Sequence, residues 1–574
     1  MPDKLEHLEA ERTRVYQELS QIGDLRRGSI AVNYRRCGKP TCACCRLDHP
    51  GHGPQYLLMT KVGGHSRAQN LRPGPELQKV EREVANHQHF RALVQQLLEL
   101  NERICADRPV RVPTEGAEAA RPEKKIVQAI HAEIGREVDR LVARALQDGQ
   151  RLGHLDLEAT EMAIRAAMHQ VGGVVLEHLL NADGGGARGP RIDCGQGHPA
   201  GFVDYRRKTI LTVLAPVHVE RAYYHCAPCA RGVIPKDRAL DIAGTSFSPG
   251  VRRMMSRVGG KEAFDEGRRD LAELAGVVVQ TKEVERVAEA IGAQIEAIAQ
   301  REQAAALAGK VVPLKPVPKL YIAIDATGVP MVPHETKGRP GKDDTGKAKT
   351  REAKLGCVFT QTHLDEKGRP VRDEDSTTYV GAIEPAEAFG RRLYAEAVRR
   401  GVTRAAQVIV LGDGAPWIWG LADEHFPGAI PIVDLYHARE HLADLGKLLY
   451  GSASAEAKRW TAARSEELDA GEVEQLVAAL GRLRPRQTEG QEAVRKARGY
   501  FETNAERMRY AHFRCQGLFV GSGVVEAGCK TIIGLRLKQS GMRWTVRGAN
   551  AIIALRCCDL SGCWEEFWEA RSVG

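Results

Sequence analysis

YIAID, residues 321–325, and QVIVLGD, residues 407–413, are apolar runs that each end on an aspartate. Runs of this length, closed by small residues, suit strands buried on both faces of a sheet. LGCVFTQTHL (355–364), STTYVGAI (376–383) and AIPIVD (429–434) read as further strands, and EPAEAFGRRLYAEAVRR (384–400) as a helix. The alternation predicts an α/β layer in which Asp325 and Asp413 end adjacent core strands, where two carboxylates converge. Either aspartate alone reads as a surface or capping group far more readily than as a metal ligand; Asp413, before Gly-Ala, also suits an N-cap.

Farther along, Glu526 falls on a predicted helix in GSGVVEAGCKTIIGLRLKQSG, residues 521–541. Residues 527–558 then hold Lys530, Arg536, Lys538, Arg543, Arg547 and Arg556 and no acid. An acidic ligand beside a basic face suits a two-metal site acting on phosphodiesters. Hard carboxylate oxygens favour Mg²⁺, two ions per site, with Mn²⁺ as the substitute. Trp544 reads either as a platform for a displaced base or as a buried anchor. The loop RPGKDDTGKAKTREAK (339–354) reads as a phosphate track or a solvated hairpin. Residues 451–510 are charged and helical, an insertion that divides one domain into 315–450 and 511–574.

Towards the amino terminus, the chain divides into a helix and Cys-rich hairpin module (1–110), a linker and helical region (111–190), a Cys module (191–240) and a helical region (241–305). YLLMTKVGGHSRAQNLR (56–72) predicts two strands around a Gly63-Gly64 turn. Seven of the 14 cysteines fall into two clusters. Cys226 and Cys229 form a CxxC knuckle with Cys194 and His198 upstream, a spacing that suits one tetrahedral Zn²⁺. A redox CxxC is the rival reading, but the βαβ context that it needs is missing. RRCGKPTCACC followed by HPGHGP offers more ligands than one ion needs; Cys37, Cys42, Cys44 and His52 are the favoured set for a second Zn²⁺, with Cys45 left over. Residues 259–292 read as a helix-turn-helix exposing Gln280, Thr281, Lys282 and Arg286 to DNA, or equally as an ordinary helical hairpin.

At 574 residues the chain exceeds one compact core, and 43% hydrophobic with 27% charged residues excludes wholesale disorder. A net charge of +9 permits a polyanionic partner without requiring one. No run reaches the length of a membrane span and the charged opening helix is unlike a signal peptide, so the expectation is a cytoplasmic, nucleoid-associated protein without a membrane partner.

IDATGVPM (324–331), VIVLGDGAPWIW (408–419), IVDLYHAREHL (432–442) and GSGVVEAGCKTIIGLRLKQSGMRW (521–544) together resemble bacterial insertion-sequence transposases of the Kra-four family, related to the Mutator-like DDE group. CGQGH (194–198), AYYHCAPC (222–229) and SPGVRRM (248–254) resemble that family's zinc ribbon and following helices, so the resemblance spans roughly 125–570. It implies a multidomain α+β and α/β chain: zinc-binding and helical DNA-binding modules, then an RNase H-like catalytic domain with an all-helical insertion. It implies Asp325, Asp413 and Glu526 as a catalytic triad, with Asp434 and His437 of DLYH in support. Lys530, Arg536, Lys538, Arg543, Arg547, Lys282 and Arg286 are the candidate DNA contacts. The implied partners are double-stranded DNA, both terminal repeats and target, and further copies of the chain on paired ends. RGSIAVNYRRCGKPTCACC (27–45) with HGPQYLLM (52–59) resembles a small domain that also occurs separately in mobile-element proteins. An RNase H-like nuclease without strand transfer and a domesticated DNA-binding regulator are the alternative functions.

Overall fold

The computed structural model describes residues 2–39, 41–46, 48–62, 65–107, 122–152, 156–310, 316–341 and 346–572. The chain forms two units, 1–124 and 125–574. Among the described residues no helix is long and apolar enough to cross a membrane.

In the first unit, the helix Pro2–Ser20 lies on Pro75–Asp107 through Leu8, Val15, Leu93, Leu100 and Ile104, a spacing near 3.6 that puts all five on facing stripes. Three antiparallel strands, β1 (Ser29–Arg35), β2 (His52–Val62) and β3 (His65–Leu71), pack Leu58 and Leu71 on Leu77, Val80 and Val84 of the long helix. The expected pair β2–β3 thus gains a third strand, and the Gly63-Gly64 turn lies outside the described residues.

The boundary falls in the first turn of the helix Pro122–Leu152, and Leu157–Asn181 follows, capped by Asp156, whose carboxylate accepts from Ala159 N. It packs on a four-stranded antiparallel ribbon, β4 (Arg191–Asp193), β5 (Pro199–Leu211), β6 (Pro216–Cys226) and β7 (Arg231–Val233). Three helices follow: Pro249–Lys261, Phe264–Ala275 and Thr281–Leu307. Gly276, in the left-handed conformation, ends the second, and Glu283 accepts from Gln280 N to start the third.

Next comes a five-stranded sheet, β8 (Lys319–Pro330), β9 (Thr350–Gln361), β12 (Thr378–Ala382), β13 (Gln407–Gly412) and β14 (Ile430–Val433). A small hairpin, β10 (His363–Leu364) and β11 (Pro370–Val371), interrupts it. The order is β12-β9-β8-β13-β14, with β9 antiparallel to the other four. Leu320–Ala323 and Ile409–Leu411 are fully buried because helices cover both faces. Contrary to expectation, β8 does not end at Asp325: it runs five residues further, paired only with β9.

The 249–307 helices share one continuous core with this sheet, rather than forming a separate module. Thr281–Leu307 crosses the helix Val546–Leu560 so closely that a Cβ on Gly292 would lie 2.1 Å from Ala551 O. Within that arrangement Thr281 Oγ1 donates to Asp265 at 2.8 Å, while Lys282, paired with Glu285, and Arg286 are both exposed. Between the sheet and the carboxyl-terminal helices, Ala455–Ala470, Val473–Arg482 and Thr488–Thr503 fill the interval 451–510 read as an insertion, and Tyr510–Cys515 follows it.

Candidate active site and two cysteine–histidine sets

The register of the three parallel strands fixes where the aspartates meet. Leu411 pairs with Ala323 and Gly412 with Val433. Continuing the rung places Asp325, Asp413 and Asp434 at one level across β8, β13 and β14, and Asp434 N still donates to Gly412 O at 2.8 Å. Asp325 and Asp413 are half-buried, whereas Asp434 is fully buried.

Their carboxylates are held differently. Asp325 Oδ1 accepts from Ala326 N at 2.7 Å, and the buried Cys529 thiol donates to the same carboxylate. Burial raises the Asp325 pKa; the Asp413 charge adds to the rise, and the Ala326 and Cys529 hydrogen bonds with nearby His437 oppose it. Asp413 Oδ1 accepts from Ala415 N at 2.9 Å in a local turn, and Ala415, not Asp413, is the N-cap of the helix Pro416–His425. Asp434 is committed on both sides: Oδ1 accepts from His437 N at 2.7 Å, capping the helix Leu435–Tyr450, and Oδ2 accepts from Ser522 N. Asp434 therefore ties the helix that bears His437 to the segment that bears Glu526.

Glu526 lies on the short helix Gly523–Gly528, which packs on β8 and β9. Ser522 Oγ stands 3.3 Å from Glu526 Oε1, so the Asp434–Ser522 contact also sets the Glu526 position. The next turn, Cys529–Gly534, is a π-helix, a rare widening that recurs at functional sites and here delivers Cys529 to Asp325. Among the described residues, only two Cys/His sets bring three or more metal-ligating atoms within 4.8 Å of one another, so Asp325, Asp413 and Glu526 are spaced more widely than that.

The basic segment 527–558 divides into inside and outside. Arg536 is fully buried: its Nε donates to Gly259 O at 2.9 Å and its guanidinium lies over Phe264 and Trp544. It cannot reach a phosphate, which corrects its reading as a DNA contact. Arg556 is likewise internal, donating to Ile532 O and Gly260 O at 2.7 and 2.6 Å. Trp544 is an anchor, buried with Nε1 donating to Leu537 O at 3.0 Å. Lys530, Lys538, Arg543 and Arg547 are exposed. Lys538 Nζ donates to Thr327, two residues beyond Asp325 on the same face of β8, and Arg547 stands 3.7 Å from Glu289. In the loop 339–354, residues 342–345 lie outside the described residues, while Lys354 is buried and donates to Glu352 and Glu384 O.

Ligand chemistry is plainest at the two Cys/His sets. Cys194, His198, Cys226 and Cys229 converge, with His198 Nδ1 3.3 Å and Cys194 Sγ 3.8 Å from Cys229 Sγ. In the first unit Cys37, Cys42, Cys44 and His52 converge, with Cys42 Sγ 3.0 Å from His52 Nε2 and Cys37 Sγ 3.5 Å from Cys44 Sγ. Cys45 Sγ turns instead to Lys39 O at 3.0 Å. Four soft donors in each set could hold Zn²⁺ tetrahedrally.

Three residues that sequence reasoning passed over touch the candidate site: Ser522, Cys529 and Tyr500, whose hydroxyl donates to Asp413 O at 2.9 Å. The first two stand inside the quoted Glu526 motif; Tyr500 is in a helix with no local signal.

A family profile described as "Domain of unknown function (DUF6788)" matches residues 5–79. No curated protein matches the chain. Among solved structures, "Drosophila P element transposase strand transfer complex" is similar at a TM-score of 0.17 and 9% identity, over 55% of this chain and 80% of that one.

Proposed function

We propose that the chain is a DDE-type transposase, which binds the terminal repeats of its element and catalyses metal-dependent DNA cleavage and strand transfer. The observation that carries this reading is the placement of Asp325 and Asp413 at one rung of adjacent parallel strands, with the Glu526 helix laid on β8 and β9 of the same sheet. The order β12-β9-β8-β13-β14 with β9 reversed supports the RNase H-like reading, as does the position of the motifs that carry the resemblance on these elements. The residues fit divalent cations: three carboxylates, two of them half-buried neighbours on one level, form a hard and anionic donor set.

In this reading Asp325, Asp413 and Glu526 would hold Mg²⁺. The bound ions supply an activated attacking oxygen and a stabilised leaving oxygen. Asp434 and Ser522 fix the Glu526 helix, and His437 sits in the field of Asp325. Lys538, tethered at Thr327, and the exposed Lys530, Arg543 and Arg547 hold the phosphates that flank the reacting bond. Zn²⁺ in the 194–229 ribbon is structural, and a second Zn²⁺ in the 37–52 set orders the amino-terminal unit. The enzyme works as a homo-oligomer on paired ends.

The test is a transposition assay with a marked mini-element carrying the repeats that flank the coding sequence. Excision and integration that require the intact chain support the reading. Cleavage without joining would instead assign a nuclease, and end binding without cleavage a regulator.

A further inference from the structure

Tyr500 belongs to the helix Thr488–Thr503, 87 residues after Asp413 in sequence, yet its hydroxyl donates to the Asp413 carbonyl at 2.9 Å. Gly414, at φ +96°, makes room for this approach: a Cβ there would meet the Tyr500 ring at 2.6 Å and its hydroxyl at 3.0 Å. The ring also meets His441 at 4.4 Å between centroids, and His441 meets His437 at 4.8 Å. Burial, reinforced by the Asp413 and Asp434 charges, raises the phenol pKa, so the hydroxyl stays a donor. Asp413 is thus gripped twice, at its carbonyl by Tyr500 and at its carboxylate by Ala415 N.

We propose that Tyr500 is a positioning residue: by holding the Asp413 carbonyl it aims the Asp413 carboxylate, and so makes divalent-cation binding depend on docking of the helical insertion. The inference rests on the carboxylate site proposed above and adds its regulation.

The experiment is a Mn²⁺ titration of the full-length, zinc-saturated protein by electron paramagnetic resonance. Tyr500→Phe removes one hydroxyl and keeps the ring; the Mn²⁺ concentration for half-saturation should rise about five- to tenfold, as expected for one lost hydrogen bond. Excess Mn²⁺ should restore occupancy. Tyr510→Phe is the control, because its buried hydroxyl has no hydrogen-bond partner among the described residues, and its titration should match wild type. If Tyr500→Phe folds poorly, Gly414→Ala, which displaces the ring, should give the same shift. Wild-type affinity in Tyr500→Phe, or an equal shift in Tyr510→Phe, overturns the inference. Asp325→Asn and Asp413→Asn separate the two layers. If they abolish binding while Tyr500→Phe does not weaken it, only the Tyr500 role fails; if they leave binding intact, the carboxylate site fails and the inference with it.

Discussion

Replacing Arg536 distinguishes a buried structural cation from a DNA contact. No carboxylate lies within ion-pair distance of its guanidinium among the described residues, and burial, with the Arg556 charge second, pushes its pKa from 12.5 down to about 10. A fall of that size costs the folded state ~3 kcal/mol at neutral pH, since each pH unit is ~1.4 kcal/mol. Against this stand a charged hydrogen bond to Gly259 O, worth ~1.5–3 kcal/mol, and ring contacts with Phe264 and Trp544 at 4.5 and 5.0 Å, worth roughly 1 kcal/mol each. The two sides nearly cancel. Arg536→Met keeps most of the volume and removes both, so it should change stability by no more than about 1 kcal/mol. Arg536→Ala also opens a void and should destabilise by about 3 kcal/mol or more. Urea unfolding read by tryptophan fluorescence, with Trp544 beside the substitution, measures both. A gel shift on the folded Met variant should show unchanged DNA affinity. A tenfold weaker complex with normal stability would refute the buried, structural account.

Other outcomes follow from contacts already described. Gly292→Ala must force the helices Thr281–Leu307 and Val546–Leu560 apart and should lower stability by ~1–3 kcal/mol, whereas Gly420→Ala, on a helix with open space at its Cβ, should gain ~0.5–1 kcal/mol; urea midpoints decide. Cys226→Ser and Cys42→Ser should each lower zinc content by about one ion per chain, measured by mass spectrometry of the purified protein, and a full complement after either change removes that set as a ligand group. Arg547→Ala, at an 88% exposed side chain, should leave stability within ~0.5 kcal/mol and reduce the slope of log affinity against log salt by about 1. An unchanged slope would take Arg547 off the DNA.

Local pattern made part of this legible. The apolar runs that end at Asp325 and Asp413 are central strands because five and four buried residues in succession have few other uses, and CxxC spacing draws Cys226 and Cys229 together whatever surrounds them. What stayed hidden depended on tertiary partners. The buried Arg536 has the same sequence signature as the exposed Arg543, since Gly259 and Phe264, distant in the chain, close over it together with nearby Trp544. The periodicity of Thr281–Leu307 reports a buried stripe but not what covers it, so a helix packed on Val546–Leu560 read equally as a DNA-reading element and as half of an ordinary hairpin. The extension of β8 past Asp325 passes through Ala-Thr-Gly, which reads as a turn until β9 pairs with it. Tyr500 reaches Asp413 across 87 residues, and Asp434 spends both oxygens on backbone amides that sequence does not place.

The most direct test is cleavage of a labelled terminal-repeat duplex in Mg²⁺ by Asp325→Asn, Asp413→Asn and Glu526→Gln proteins, beside a gel shift on each. Every substitution removes one anionic oxygen ligand while nearly preserving shape. Loss of ~4 kcal/mol of transition-state stabilisation corresponds to about a thousandfold slower cleavage, with end binding retained or tightened. Asp423→Asn and Glu424→Gln, exposed on the helix beyond Asp413, should cut normally. Full cleavage by the Glu526→Gln protein would contradict the account.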